Sequence, residues 1–151
     1  MSDEQIFEAM PEDRFIRSAI LLRVVDGDTL DVEIDLGWSM KLKERVRLEG
    51  LDTPEIRRKE EHKSGVWVKE EVEDLLLPAE ALIITSMAYE RTGQVRGKFG
   101  RTMAVVYRLR DKLCLNRYLL DKKIAWATDK NGKLLQERAL SLLTGIPEDR
   151  K

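Results

Sequence analysis

Three short stretches hold most of the residues able to do chemistry on a charged substrate: VVDGDTL (Val24–Leu30), RVRLEGLDTPE (Arg45–Glu55) and GKFGRTMAVVYR (Gly97–Arg108). Asp28 and Asp52 each close an apolar run. A carboxylate buried in such a place is costly unless it is paired or bound to a cation. Hard cations such as Ca2+ favour oxygen ligands of this kind. Glu55 follows Pro54, which fixes the local chain direction and can aim a carboxylate into a cleft. Arg47 and Arg101 each offer a planar fork that matches two phosphate oxygens. A cation, a carboxylate for water and fixed guanidinium groups are what hydrolysis of a phosphodiester requires.

Each feature has a plainer reading when taken alone. Asp26-Gly27-Asp28 reads as a turn, and Asp52-Thr53-Pro54-Glu55 reads as a helix N-cap with its capping box. Arg47 on an alternating strand reads as a solvated charge, and Arg101 as a partner for a surface carboxylate. Their occurrence together, in this order, favours one site over four coincidences.

The elements that must position these residues follow from periodicity. Arg17–Val32 is rich in Ile, Val and Leu and broken at Asp26-Gly27-Asp28, a strand, a tight turn or bulge, and a strand, with Gly27 able to take the positive φ of a turn. DVEIDLG alternates, Gly37 allows a turn, and KLKERVRLEGL alternates again with an adjustment near Lys43–Arg45. RRKEEHKSG is a polar loop. VWVKEEVEDLLL has helical spacing that puts Val68, Val72, Leu75 and Leu76 on one face, and Pro78 stops it. ALIITSMAY and RTMAVVYRL read as two further strands, LCLNRYLLDKK as a second helix and LLQERALSLL as a third. Five strands with a helix after the third predict an α+β chain, a five-stranded OB-fold β-barrel with about three helices. Residues 1–16 read as a flexible arm, 17–146 as the domain and 147–151 as a tail.

Composition narrows the chemistry. The chain has 151 residues, 42% of them hydrophobic, which suits one domain with a single core. It has one histidine, His62, read as solvated, and one cysteine, Cys114, read as a small core residue. That leaves no material for a Ser-His-Asp triad, a histidine or cysteine zinc site, or an internal disulfide. The 27 basic and 28 acidic side chains give a formal charge of -1, so binding to a polyanion would rest on a local arginine cluster with a metal ion. The acidic N-terminal stretch has no apolar signal region and no run is long enough for a membrane helix. A cytoplasmic monomer is the expectation, or a secreted one if a leader has been removed. Trp38 and Trp67 read as packing residues.

Taken together, D-G-D-T, then R-x4-D-T-P-E, then F-G-R resemble the staphylococcal nuclease (thermonuclease) family from about Ile20 to about Trp126. The resemblance implies a Ca2+-dependent endonuclease acting on DNA, with RNA as a second candidate, and leaving 3′-phosphate ends. It implies Asp28, Asp52 and the Thr53 carbonyl as metal ligands, with Asp26 supporting them. Glu55 is implied as general base or water-orienting group, and Arg47 and Arg101 as the arginines on the phosphate. The sequence also departs from the family. AWATDKNG lacks the family's nucleotide-holding tyrosines, which leaves Trp126 as a weaker candidate for stacking on a base, worth about 1–3 kcal/mol, or for packing. Gly97 replaces an acidic residue, the loop after Glu55 is shorter, and the last helix is less basic. The competing reading is a non-catalytic OB-fold module that binds nucleic acid or peptide.

Overall fold

A computed structural model describes residues 14–87, 102–129 and 131–151. Five strands carry the fold: β1 (Arg14–Asp26), β2 (Thr29–Gly37), β3 (Met40–Leu48), β5 (Ala81–Met87) and β6 (Thr102–Arg108). The short strands β4 (Leu51–Asp52), β7 (Leu113–Cys114) and β8 (Trp126–Ala127) are two residues each. The helices are α1 (His62–Leu75) and α2 (Leu115–Asp121).

The long first strand serves two neighbours. Its first half pairs antiparallel with β5 from Arg14↔Met87 to Ile20↔Ala81, and its second half with β2 from Ala19↔Ile34 to Asp26↔Thr29. Register shifts between Leu21 and Arg23 and between Val24 and Asp26 fall in the half that pairs with β2, past the handover at Ala19–Ile20. β2 pairs with β3, β5 with β6, and a parallel pairing of Val46–Leu48 with Thr102–Ala104 closes the barrel. The result is a closed five-stranded OB-fold-like barrel of the α+β class. Leu30, Val32, Val46, Leu48, Leu82 and Val106 fill its interior.

α1 packs Ser64, Gly65, Val68 and Val72 inward, at the spacing of one helical face. Its last turn has no basic residue of its own. Arg108 of β6 supplies the missing donor, with Nη1 donating to the Leu75 carbonyl at 2.7 Å. Asn116 fastens α2 to the barrel, accepting from the Val106 N–H at 3.0 Å and donating to the Glu49 carbonyl at 2.9 Å.

Several expectations need correction. The third helix does not form: residues after Asn131 run as irregular backbone with only short 3-10 turns at Leu140–Leu142 and Glu148–Arg150. Ala139 is extended there (φ -130, ψ 127), and its carbonyl is held by Trp126 Nε1 at 3.1 Å, so side-chain bonds displace the helical ladder. α1 begins at His62, which rules out the capping box at Asp52–Glu55. β3 holds one continuous register against β2 from Thr29↔Arg47 to Asp35↔Lys41 and needs no adjustment near Lys43. Trp38 is no packing residue: it is 95% exposed at the β2–β3 turn. Cys114 is only half-buried, paired with Tyr107 where β7 leads into α2. β1 begins inside the span read as an arm. The last residues dock on α1, where the Ser64 hydroxyl donates to the Arg150 carbonyl at 2.9 Å. Among the described residues no helix is long and apolar enough to cross a membrane.

Candidate functional site

One end of the barrel gathers acidic and basic residues from segments far apart in the chain. Asp28 sits in the β1–β2 turn, Arg47 near the end of β3, Asp52 on β4 and Glu61 just before α1. Two glycines let these segments meet. A Cβ on Gly27 would lie 2.6 Å from Val68 Cγ1 of α1, and one on Gly65 would lie 2.8 Å from the Pro54 carbonyl oxygen. Gly27 is therefore needed for close approach of the helix. The positive φ expected there is absent.

Asp28 is 3% exposed. Its Oδ1 accepts from the Thr29 hydroxyl at 2.9 Å and its Oδ2 from the Thr53 N–H at 3.3 Å. Arg47 Nη2 stands between two carboxylates, 3.4 Å from Asp28 Oδ2 and 2.9 Å from Asp52 Oδ1. Burial raises the Asp28 pKa to about 6, against the pull of Arg47. Burial alone would raise Asp52 as well, but hydrogen bonding from Arg138 and the charge of Arg47 hold it below the usual carboxylate range.

Arg138, from the irregular segment after β8, completes the cluster. Its Nη1 donates to Asp52 Oδ2 at 2.6 Å, and its Nη2 reaches the Thr53 carbonyl at 3.5 Å. Nε and Nη2 also grip Glu61 Oε2 and Oε1 at 2.9 and 2.8 Å. Its guanidinium lies over the Trp126 ring, 4.6 Å from the centroid. Glu61 accepts the Glu55 N–H at 2.8 Å, which ties the Glu55 loop to the same cluster. Burial would raise the Glu61 pKa, but Arg138 and this N–H hold it low.

The fold thus brings together four residues singled out from sequence: Asp28, Arg47, Asp52 and Thr53. Glu55 is half-buried beside them, and its charge acts on Arg47. Asp26 is half-buried in the ladder opposite Thr29. Arg101 and Gly97 lie outside the described residues. Trp126 is fully buried with Arg138 over its ring, so this arrangement leaves no open face for a base. Sequence reasoning missed Arg138, because the periodicity of LLQERALSLL pointed to a helix. It also missed Glu61, one acid in the run RRKEEH. Neither position carries a local signal.

Among the described residues no cluster of three or more His, Cys, Asp and Glu side chains is arranged to hold a metal ion. A smaller oxygen set does exist in Asp28, Asp52 and the Thr53 carbonyl. Two of its carboxylate oxygens converge on a single guanidinium nitrogen. Oxygen donors of this type are those that hard cations favour. No protein-family model matches the chain, and no curated protein matches it.

Proposed function

We propose that this protein is a metal-dependent phosphodiesterase of the staphylococcal nuclease type, cutting DNA, with RNA as a second substrate, and leaving 3′-phosphate ends. The observation that carries this reading is the convergence of Asp28, Asp52 and Arg47 at one end of an OB-fold-like barrel, with the Thr53 N–H on Asp28 and the Thr53 carbonyl within reach of Arg138. In it, Asp28, Asp52 and the Thr53 carbonyl would hold Ca2+, which when bound would neutralise phosphate charge and act as a Lewis acid. Arg47 lies close enough to trade a carboxylate for a phosphate oxygen without leaving the site. Its fork then stabilises the charge that builds on phosphorus, with Arg101 as the second such group. Glu55 orients or deprotonates the attacking water. Its loop is held at a fixed place by the bond from its N–H to Glu61.

The test is cleavage of single-stranded DNA by the purified protein, with Ca2+ and with EDTA, beside an Asp28→Ala variant. Ca2+-dependent cutting that the variant lacks is the expected result. Absence of cutting with Ca2+, Mg2+ and Mn2+ would overturn the reading.

One observation favours a second reading. Asp28, Asp52 and Glu61 are each already paired with a guanidinium group, as in a purely structural ion-pair network. A non-catalytic OB-fold module that binds nucleic acid or peptide would need no more than that. Such a module binds DNA or peptide equally well with and without EDTA.

A further inference from the structure

Arg138 holds the same oxygens that a metal ion would need. Its Nη1 is 2.6 Å from Asp52 Oδ2 and its Nη2 is 3.5 Å from the Thr53 carbonyl. These belong to two of the three groups that make up the candidate cation set. A guanidinium and a dication repel each other strongly at such range, so a cation that takes both oxygens must take them from Arg138. The arginine also has somewhere to go. Two of its nitrogens bond Glu61 at 2.8 and 2.9 Å, and that pairing can persist when Asp52 is given up. The segment that carries it is irregular. Its fastenings include the Thr128↔Leu134 bridge, the Leu135 N–H to the Ala127 carbonyl, and Trp126 Nε1 to the Ala139 carbonyl. A helix in its place would have locked the arginine to a rigid rod.

We propose that Arg138 is a built-in competitor for the divalent cation: it occupies Asp52 and the Thr53 carbonyl when the metal is absent, and thereby sets the metal affinity of the site. The inference rests on the metal-dependent reading above. Loading the site then removes the Asp52 tie of Arg138 and loosens the segment around residues 134–143. The order of events is a cation in, a guanidinium out, with Glu61 as the resting partner of the arginine in both states.

The experiment is calorimetric titration of Ca2+ alone into the full chain, comparing wild type, Arg138→Gln and Asp28→Asn. If Arg138 holds the site about nine-tenths of the time, Arg138→Gln binds Ca2+ about tenfold more tightly, and Asp28→Asn loses binding. Equal or weaker Ca2+ binding by Arg138→Gln, with normal binding by wild type, overturns the competitor role and leaves the metal site standing. Failure of both proteins to bind Ca2+ at about 10 mM, beyond even weak extracellular sites, overturns the metal site and the competitor with it. A second measurement needs no variant. On adding Ca2+ to wild type, amide exchange at Leu135 and Ala139 should speed up while that at Thr53 and Glu55 does not. Unchanged or slower exchange at Leu135 and Ala139 overturns the proposal.

Discussion

The two ends of the β2–β3 hairpin share one ladder, shifted only beside the turn between Asp35 and Gly37, and have opposite fates. Toward the site, Leu30, Val32, Val46 and Leu48 are fully buried, and Asp28 and Arg47 are locked into ion pairs. Toward the turn, Leu36, Leu42, Met40 and Trp38 are exposed, although Leu36, Met40 and Leu42 continue the inward-facing alternation of the same strands. Closure makes the difference. β6 pairs with β3 only over Val46–Leu48, and β1 pairs with β2 only up to Ala19↔Ile34, so beyond those points the hairpin has no barrel to line. Period-two alternation says which face a residue takes. Only the neighbouring strands decide whether that face is covered.

The comparison breaks first if the site end does no chemistry. Under the proposed function Glu55→Gln lowers the turnover of DNA cleavage by roughly 10²–10⁴-fold, the range for removing a positioned general base, while substrate binding changes little. Steady-state kinetics on single-stranded DNA check it. Equal losses in turnover and in binding would show that Glu55 acts only through structure. Substitutions at the hairpin turn leave these kinetics unchanged.

The contrast also bears on stability and pH. Burial holds the Asp28 pKa at about 6, above its ordinary 3.8. Between those values the folded protein therefore binds more protons than the unfolded chain. The sign follows: in EDTA, stability is highest near the lower value and falls as pH rises through the upper one. The shift corresponds to roughly 1–3 kcal/mol. Asp52 and Glu61 are held low, so their contribution is present at neutral pH and is lost only on acidification below their ordinary values. Asp28→Asn should remove the loss between about pH 4 and pH 6 and raise metal-free stability at pH 7 by about 1–3 kcal/mol. Denaturant melts at a series of pH values decide it. A variant less stable than wild type at pH 7 would mean that the pairing of Asp28 with Arg47 outweighs its burial.

What was legible in the sequence follows the same division. The five long strands and α1 from Val66 on were legible because their periods are local properties of the chain; the two-residue strands and the first turn of α1, His62–Gly65, which reads as polar loop, were not. Asp28, Arg47, Asp52 and Thr53 were legible as a set only through the joint occurrence of the motifs and the family resemblance they carry, since each alone reads as a turn, a cap or a solvated charge. Arg138 and Glu61 were not. One lies in a stretch whose leucines mimic a helix, and the other in a run of like residues. Each becomes special only through bonds to Asp52 and Glu55, far away in sequence. The exposure of Trp38 was illegible for the reason given by the hairpin: closure is a tertiary fact.

The smallest expected effect lies at the turn itself. Trp38 and Ser39 both have positive φ, at 48° and 62°, between Gly37 and Met40. Two-residue turns of this hand match the twist of the strands and favour Asn-Gly, because side chains with a bulky Cβ strain the left-handed region. Trp38 gains nothing in return from burial, being 95% exposed. Replacing the pair by Asn-Gly, Trp38→Asn with Ser39→Gly, should therefore stabilise the chain by up to about 1 kcal/mol, with Ca2+ binding unchanged. Thermal melts in EDTA and in Ca2+ measure both. Destabilisation would mean that the indole contributes more to the hairpin than its exposure allows. The site end and the turn end would then be coupled along the ladder that joins them.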